Sequence, residues 1–192
     1  MAMEIKEVSA DLPTSFGEFR IHVYKIDCED IVVMQYGELR TENVLMRMHS
    51  ECLTAEVFGS LKCDCQEQLH KALKAIVANG NGLLFYLRQE GRGIGIFNKI
   101  RAYRLQDEGK NTIDANLLLG LPIDARNYEK VITILKQLSV KSVRLITNNP
   151  LKIDAFRDSG IEIKEIVKIG STFRKHNSHY LNTKKNMMNH SL

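Results

Sequence analysis

The sequence predicts a mixed α/β (α+β) fold, on three observations. Its opening segments alternate apolar and polar residues, as half-buried strands do. From residue 65 onward, helical apolar stripes interleave with short, continuously apolar runs of the kind that form buried strands. Clusters of glycine, asparagine and proline punctuate these segments. A chain of 192 residues, 44% hydrophobic and 26% charged, can bury one good core, and neither an internal repeat nor a low-complexity linker interrupts it.

Phe19 to Ile26 alternates sides, Ile31 to Met34 follows a polar turn, and Val44 to Met48 leads into His49, giving three strands. Cys28 sits at a strand end and reads as an ordinary small buried thiol. After Cys65 the period changes: Leu69, Leu73, Ile76 and Val77 share one helical face, which ends at Asn79-Gly80-Asn81-Gly82. Cys63 and Cys65 then flank a helix start, where free amides and the dipole favour thiolate. Gly82 to Leu87 is a buried strand that empties into Arg88-Gln89-Glu90-Gly91-Arg92-Gly93-Ile94-Gly95. The glycines let the backbone approach a ligand closely, and the loop carries both signs of charge. Its spacing is neither that of a P-loop nor that of a dinucleotide fingerprint.

Ile96 to Gln106 reads as a helix bearing Lys99, Arg101, Tyr103 and Arg104. Beyond it, Asp124-Ala125-Arg126 precedes a helix whose stripe is Val131, Ile134, Leu135 and Leu138, and Asp124 reads as its cap. Val143 to Thr147 is a strand, Asn148-Asn149-Pro150 a turn, Leu151 to Asp158 a helix, and Ile161 to Val167 a last strand. Strand, polar turn and helix start make a recurrent phosphate-binding geometry, so Thr147 and Lys152 are candidate anion contacts. Residues 1–170 are read as one domain and 171–192 as a polar, partly mobile tail.

Three of the four cysteines, Cys52, Cys63 and Cys65, fall close together beside Arg47-Met48-His49-Ser50-Glu51. Three thiolates without an evident fourth ligand can hold Zn²⁺ while leaving a position open for water, which points to hydrolysis. The competing reading is a structural zinc closed by His49 or His70; a disulfide ranks below both. A formal net charge of +4 is too small to imply nucleic-acid binding, and 7% aromatic residues with no Trp argue against it. Basic residues nevertheless crowd between Arg88 and Arg104, which suits a polyanionic small molecule. No apolar run approaches the roughly 18 residues needed to span a bilayer, and the N-terminus lacks a leader pattern, so a cytoplasmic protein is expected.

Taken in order, these motifs resemble GTP cyclohydrolase II. The resemblance rests on Arg47-Met48-His49-Ser50-Glu51-Cys52-Leu53-Thr54, Cys63-Asp64-Cys65, Arg88 to Gly95, Asn98-Lys99-Ile100-Arg101-Ala102-Tyr103, Asp124-Ala125-Arg126 and Leu145 to Pro150. It extends from Leu12 to Lys184 without departure at a functional position. Some members carry a preceding 3,4-dihydroxy-2-butanone-4-phosphate synthase domain, and a stand-alone form is expected here.

The resemblance implies a single domain with a mixed sheet and flanking helices, and a typically homodimeric enzyme. Its reaction opens the imidazole ring of GTP at C8, releases formate and pyrophosphate, and leaves 2,5-diamino-6-(5-phosphoribosylamino)pyrimidin-4-one, the first committed step toward riboflavin. By the same resemblance, Cys52, Cys63 and Cys65 hold one zinc per subunit. Arg47, Met48, His49, Ser50, Glu51, Gln68, Glu90, Gly91, Arg92, Thr112, Thr147 and Lys152 contact GTP, and Tyr103, Asp124 and Arg126 are catalytic. Mg²⁺ is expected on the triphosphate. Tyr103 is the expected proton holder at the ring. Arg126 is either a nucleophile at the α-phosphorus with Asp124 accepting its proton, or an electrostatic stabiliser while water attacks. Glu90 is offered as the carboxylate that reads guanine. The alternative function is a catalytically silent GTP-binding regulatory module with zinc.

Overall fold

Seven strands form one sheet in the order β1-β2-β3-β5-β4-β6-β7. The structure, a computed structural model, describes residues 5–174 and 176–187; for Thr112, His179 and residues 184–187 it describes the backbone alone. The strands are β1 (Ile5–Thr14), β2 (Gly17–Ile26), β3 (Glu29–Tyr36), β4 (Val44–Ser50), β5 (Gly82–Leu87), β6 (Ser142–Ile146) and β7 (Glu162–Val167). The β1–β2, β2–β3 and β3–β5 pairs are antiparallel, while β4–β6 and β6–β7 are parallel, so the sheet is mixed.

The helices are α1 (Leu53–Glu56), α2 (Cys65–Ala78), α3 (Gly95–Asp107), α4 (Thr112–Leu118), α5 (Glu129–Gln137), α6 (Pro150–Asp154) and α7 (Ser178–Met187). The chain divides into two compact units. The first comprises Met1–His49, Leu69–Leu87 and Tyr128–Ile169, and the second Ser50–Gln68, Arg88–Asn127 and Gly170–Leu192.

In the first unit, strand alternation sorts the core into two layers. Val44, Met46 and Met48 of β4, with Leu83, Phe85 and Leu87 of β5, pack with Val131, Ile134 and Leu135 of α5. Leu45 and Leu84, one residue out of phase, pack instead with Ala72, Leu73 and Ile76 of α2. These central strands therefore have both faces covered, which explains their unbroken apolar runs. Burying each large aliphatic side chain there contributes roughly 1.5–3 kcal/mol before conformational entropy is counted.

Several sequence readings change. Cys28 is exposed, because it falls in the β2–β3 turn beside Asp27, whose φ of 55° marks a tight left-handed step. Strand β1 was not read from the sequence: most of its side chains are exposed, and ten backbone-paired positions with β2 hold it rather than an apolar face. The stretch Leu151 to Asp158 is helical only through Asp154, with Asn149 capping the N-terminus by accepting from Leu151 N at 2.9 Å.

In the second unit, Asn111 caps the unforeseen α4 by accepting from the amides of Ile113 and Asp114. Among the described residues, the chain after Gly170 has three anchoring points. Ser171 Oγ donates to Asp64 Oδ2 at 2.6 Å, Thr172 Oγ1 donates to Glu67 at 2.6 Å, and α7 follows with Leu181 fully buried. Residues 188–192 of the expected mobile tail lie outside the described residues.

Candidate active site

The second unit gathers the three thiols. The Sγ atoms of Cys52, Cys63 and Cys65 all lie within 4.8 Å of one another, with Cys52 to Cys63 at 3.7 Å. Local structure explains the convergence. Cys52 ends the segment after β4 and its carbonyl accepts from the Glu56 amide at 2.9 Å, closing the short α1 turn. Cys65 opens α2, and Asp64 between the two later cysteines is anchored by Ser171. Ala55 and Tyr180 pack around the cluster and make it an apolar pocket of sulfur ligands.

Soft thiolates so grouped, with free thiols and no disulfide, fit a thiophilic divalent metal such as zinc. No histidine belongs to the cluster among the described residues. Both histidines considered as a fourth ligand are engaged within the first unit: the His49 ring stacks on Tyr86 with centroids 5.8 Å apart, and His70 packs on Phe16 at 5.0 Å. The thiols are electrostatically unequal. Hydrogen bonding from Cys63 and Cys65, with Lys99 nearby, drives Cys52 far below the ordinary thiol value. Its anionic partner in turn pushes Cys63 up to about 11, and Cys65 is raised as well by Cys52 and by burial.

Around Cys52 is a polar ring that the sequence did not reveal. Lys99 Nζ donates to Cys52 Sγ at 3.1 Å, to Thr54 Oγ1 at 2.9 Å and to Glu90 Oε1 at 2.7 Å. The second Glu90 oxygen accepts from Leu53 N at 2.6 Å, and Oε1 also accepts from Gly91 N at 2.8 Å. The carboxylate expected to read guanine is thus occupied from within, as the clamp of its own loop. Tyr103 borders the same ring, bonded to Thr54; burial raises its pKa against the opposing pull of Lys99, so the phenol keeps its proton at neutral pH.

The glycine-rich loop forms a 3₁₀ turn, Glu90–Gly93, in which Arg92 takes a φ of 63°. Ala125 N donates to the Arg92 carbonyl at 2.9 Å, and a Cβ on Gly93, at φ 89°, would come within 3.0 Å of the Ala125 backbone. Glycine is required there because the loop and the Asp124–Arg126 segment touch along their backbones. Asp124 does not cap α5, whose N-cap is Tyr128. Its carboxylate instead grips Arg126, accepting from Nε at 2.9 Å, from Nη2, and from the Arg126 amide at 3.1 Å. Burial opposes the charge of Asp124, but this grip outweighs it and holds the carboxyl below its ordinary range.

Other residues fall where their chemistry is already partly committed. Arg92 sits over the Tyr180 ring at 5.8 Å, and its two terminal nitrogens are buried without a hydrogen-bond partner among the described residues. The Ser50 hydroxyl is buried and unpartnered likewise. Buried orphans of this kind are costly unless a ligand satisfies them. Gln68 donates to Ser171 Oγ at 2.9 Å, and Glu51, 3.9 Å from Arg88, has its pKa lifted by burial. Thr112 is the first residue of α4, and its side chain lies outside what the structure describes.

In the first unit, Arg47 and His49 are buried side by side on β4, with Arg47 Nε 3.5 Å from His49 Nδ1. The Met48 side chain is wholly in the core, so only its backbone is available to a ligand, and its carbonyl accepts from Lys152 Nζ at 2.6 Å. Thr147 Oγ1 accepts from the Asn149 amide at 3.0 Å, forming the turn expected after β6.

Residues 5–168 match the model of the GTP cyclohydrolase II family. The chain is 51% identical to a GTP cyclohydrolase-2 of Acinetobacter baumannii strain AB0057, over 95% of this chain and 93% of that protein. It is 46% identical to a GTP cyclohydrolase-2 of Picrophilus torridus, over 94% and 95% of the two chains. It is also 47% identical to the riboflavin biosynthesis protein RibBA of Bacillus subtilis, over 97% of this chain and 48% of that longer protein. A match of this extent, falling on a chain that folds its three cysteines into one thiol cluster, means that the protein belongs to the GTP cyclohydrolase II family.

Proposed function

We infer that the protein is a GTP cyclohydrolase II, hydrolysing the imidazole ring of GTP at C8 to release formate and cleaving pyrophosphate, at the entry to riboflavin synthesis. The observation that carries this reading is the open three-thiol cluster bordered by a protonated phenol and a buried cation. The first hydrolysis opens the ring, and the second frees the carbon as formate. Cys52, Cys63 and Cys65 would hold a zinc ion, which when bound would supply the Lewis acidity that activates water.

The protein's own groups supply the rest. Tyr103, kept protonated by burial, holds or donates a proton at the ring. Arg126 is committed to Asp124 through two side-chain bonds, and a guanidinium so paired stays charged. That supports an electrostatic role at the α-phosphorus, with water as nucleophile, over covalent attack by Arg126. Asp124, with its lowered pKa, is a poor base and a good anchor. The GTP contacts proposed are Arg47, Met48 through its backbone, His49, Ser50, Glu51, Gln68, Glu90, Gly91, Arg92, Thr112, Thr147 and Lys152, with Glu90 also shaping the loop that presents Arg92. Mg²⁺ is proposed on the triphosphate.

A homodimer is proposed too. Phe58 and Phe97 of the second unit are 73% and 75% exposed, and large apolar groups left in water favour a protein partner. Cytoplasmic residence is proposed from the free thiols, and no helix among the described residues is long and apolar enough to cross a membrane. Removing metal with a chelator is expected to abolish GTP turnover while circular dichroism stays native, and added zinc is expected to restore it; loss of the fold would instead make the zinc structural.

A further inference from the structure

We propose that Lys99 is a positioning residue of the thiolate centre, supplying the fixed positive charge that offsets the excess negative charge of three cysteine ligands and setting the electron donation of Cys52. The inference rests on the reading of the cluster as a metal site. Three thiolates around a divalent cation leave one surplus negative charge, which weakens the Lewis acidity that hydrolysis requires. A cation placed against one ligand sulfur withdraws density from it and restores that acidity. Lys99 is such a cation, for its ammonium has a single fixed position. All three of its protons are accounted for, by Cys52 Sγ at 3.1 Å, Thr54 Oγ1 at 2.9 Å and Glu90 Oε1 at 2.7 Å.

The surroundings fit a device rather than an incidental surface contact. Lys99 is 9% exposed, and lysine is almost never so buried without a partner. The Tyr103 ring lies 5.7 Å from the ammonium. Glu90, the balancing carboxylate, is itself fixed by the amides of Leu53 and Gly91, so the cation cannot drift from the sulfur. Lys99 lies on α3 one turn before Tyr103, so a single helix carries both the charge and the phenol to the same centre. Groups that hydrogen-bond to a metal's ligands without touching the metal are commonly worth 10–100-fold in affinity or activity.

The test is cobalt substitution of wild type and of Lys99→Met, Lys99→Gln and Lys99→Arg, reading the sulfur-to-cobalt charge-transfer band. Loss of the charge in Lys99→Met or Lys99→Gln is expected to move the band to longer wavelength, because the Cys52 sulfur then donates more strongly, with Lys99→Arg remaining near wild type. Lys99→Gln keeps a hydrogen-bond donor and serves where Lys99→Met does not fold. An unchanged band in the folded neutral variant would overturn the role of Lys99. Absence of a thiolate charge-transfer band in wild type would overturn the metal site itself.

Discussion

At the residue scale, the division of labour follows from environment. Tyr103 and Asp124 are both half-buried acids, yet desolvation dominates the first and the Arg126 guanidinium the second, so one keeps its proton and the other loses it. Tyr103→Phe keeps the ring beside Lys99 and removes only the hydroxyl, so kcat is expected to fall about 10²–10⁴-fold with little change in KM. Steady-state kinetics with GTP measure this, and an unchanged kcat would remove Tyr103 from proton transfer. For Asp124, a folded-state pKa below the unfolded value near 3.9 means that its contribution is complete above that value and is lost as pH falls toward the folded pKa. Thermal denaturation of Asp124→Asn should therefore show a deficit of roughly 3 kcal/mol that is constant between pH 6 and 8 and shrinks below about pH 4. A deficit growing toward acid would reverse the assignment.

At the scale of elements, legibility tracks where the stabilising contacts lie. Strand β5 and helices α2 and α5 were readable because each advertises its own buried face: Leu73 and Ile76 are in the core, as the 3.6-residue stripe requires. Strand β1 and helix α4 were not, since one is held by backbone pairing and the other by an asparagine cap. The polar chain after Ser171 concealed its anchorage because Asp64, Gln68 and Glu67, which receive it, lie about a hundred residues earlier. Leu181 is the apolar anchor of α7, and Leu181→Ala is expected to cost about 2–5 kcal/mol. Hydrogen exchange should then accelerate at residues 64–68, where the tail's polar bonds end; unaltered protection there would separate the tail from the cysteine segment.

At the scale of the whole molecule, the thiol triad and the glycine-rich loop were legible from their spacing, whereas Asp124 reads locally as a helix cap and its link to Arg126 came only through the family resemblance. The sequence could not show that Glu90 faces inward or that Lys99 joins Cys52, since those contacts depend on α3 meeting the segment after β4. The spacing also left open whether the metal site was closed; in the fold the ligand group contains no histidine among the described residues. In the proposed division of labour, the thiolate centre opens the guanine ring while a separate guanidinium serves the phosphorus. The most direct test of this division is mass spectrometry of the products formed from GTP and Mg²⁺ by zinc-loaded protein, with formate and pyrophosphate assayed in parallel. The account predicts all three products, the diaminopyrimidine monophosphate, formate and pyrophosphate, with an Arg126→Ala variant still opening the ring; tight GTP binding with no turnover by zinc-loaded wild type would contradict it.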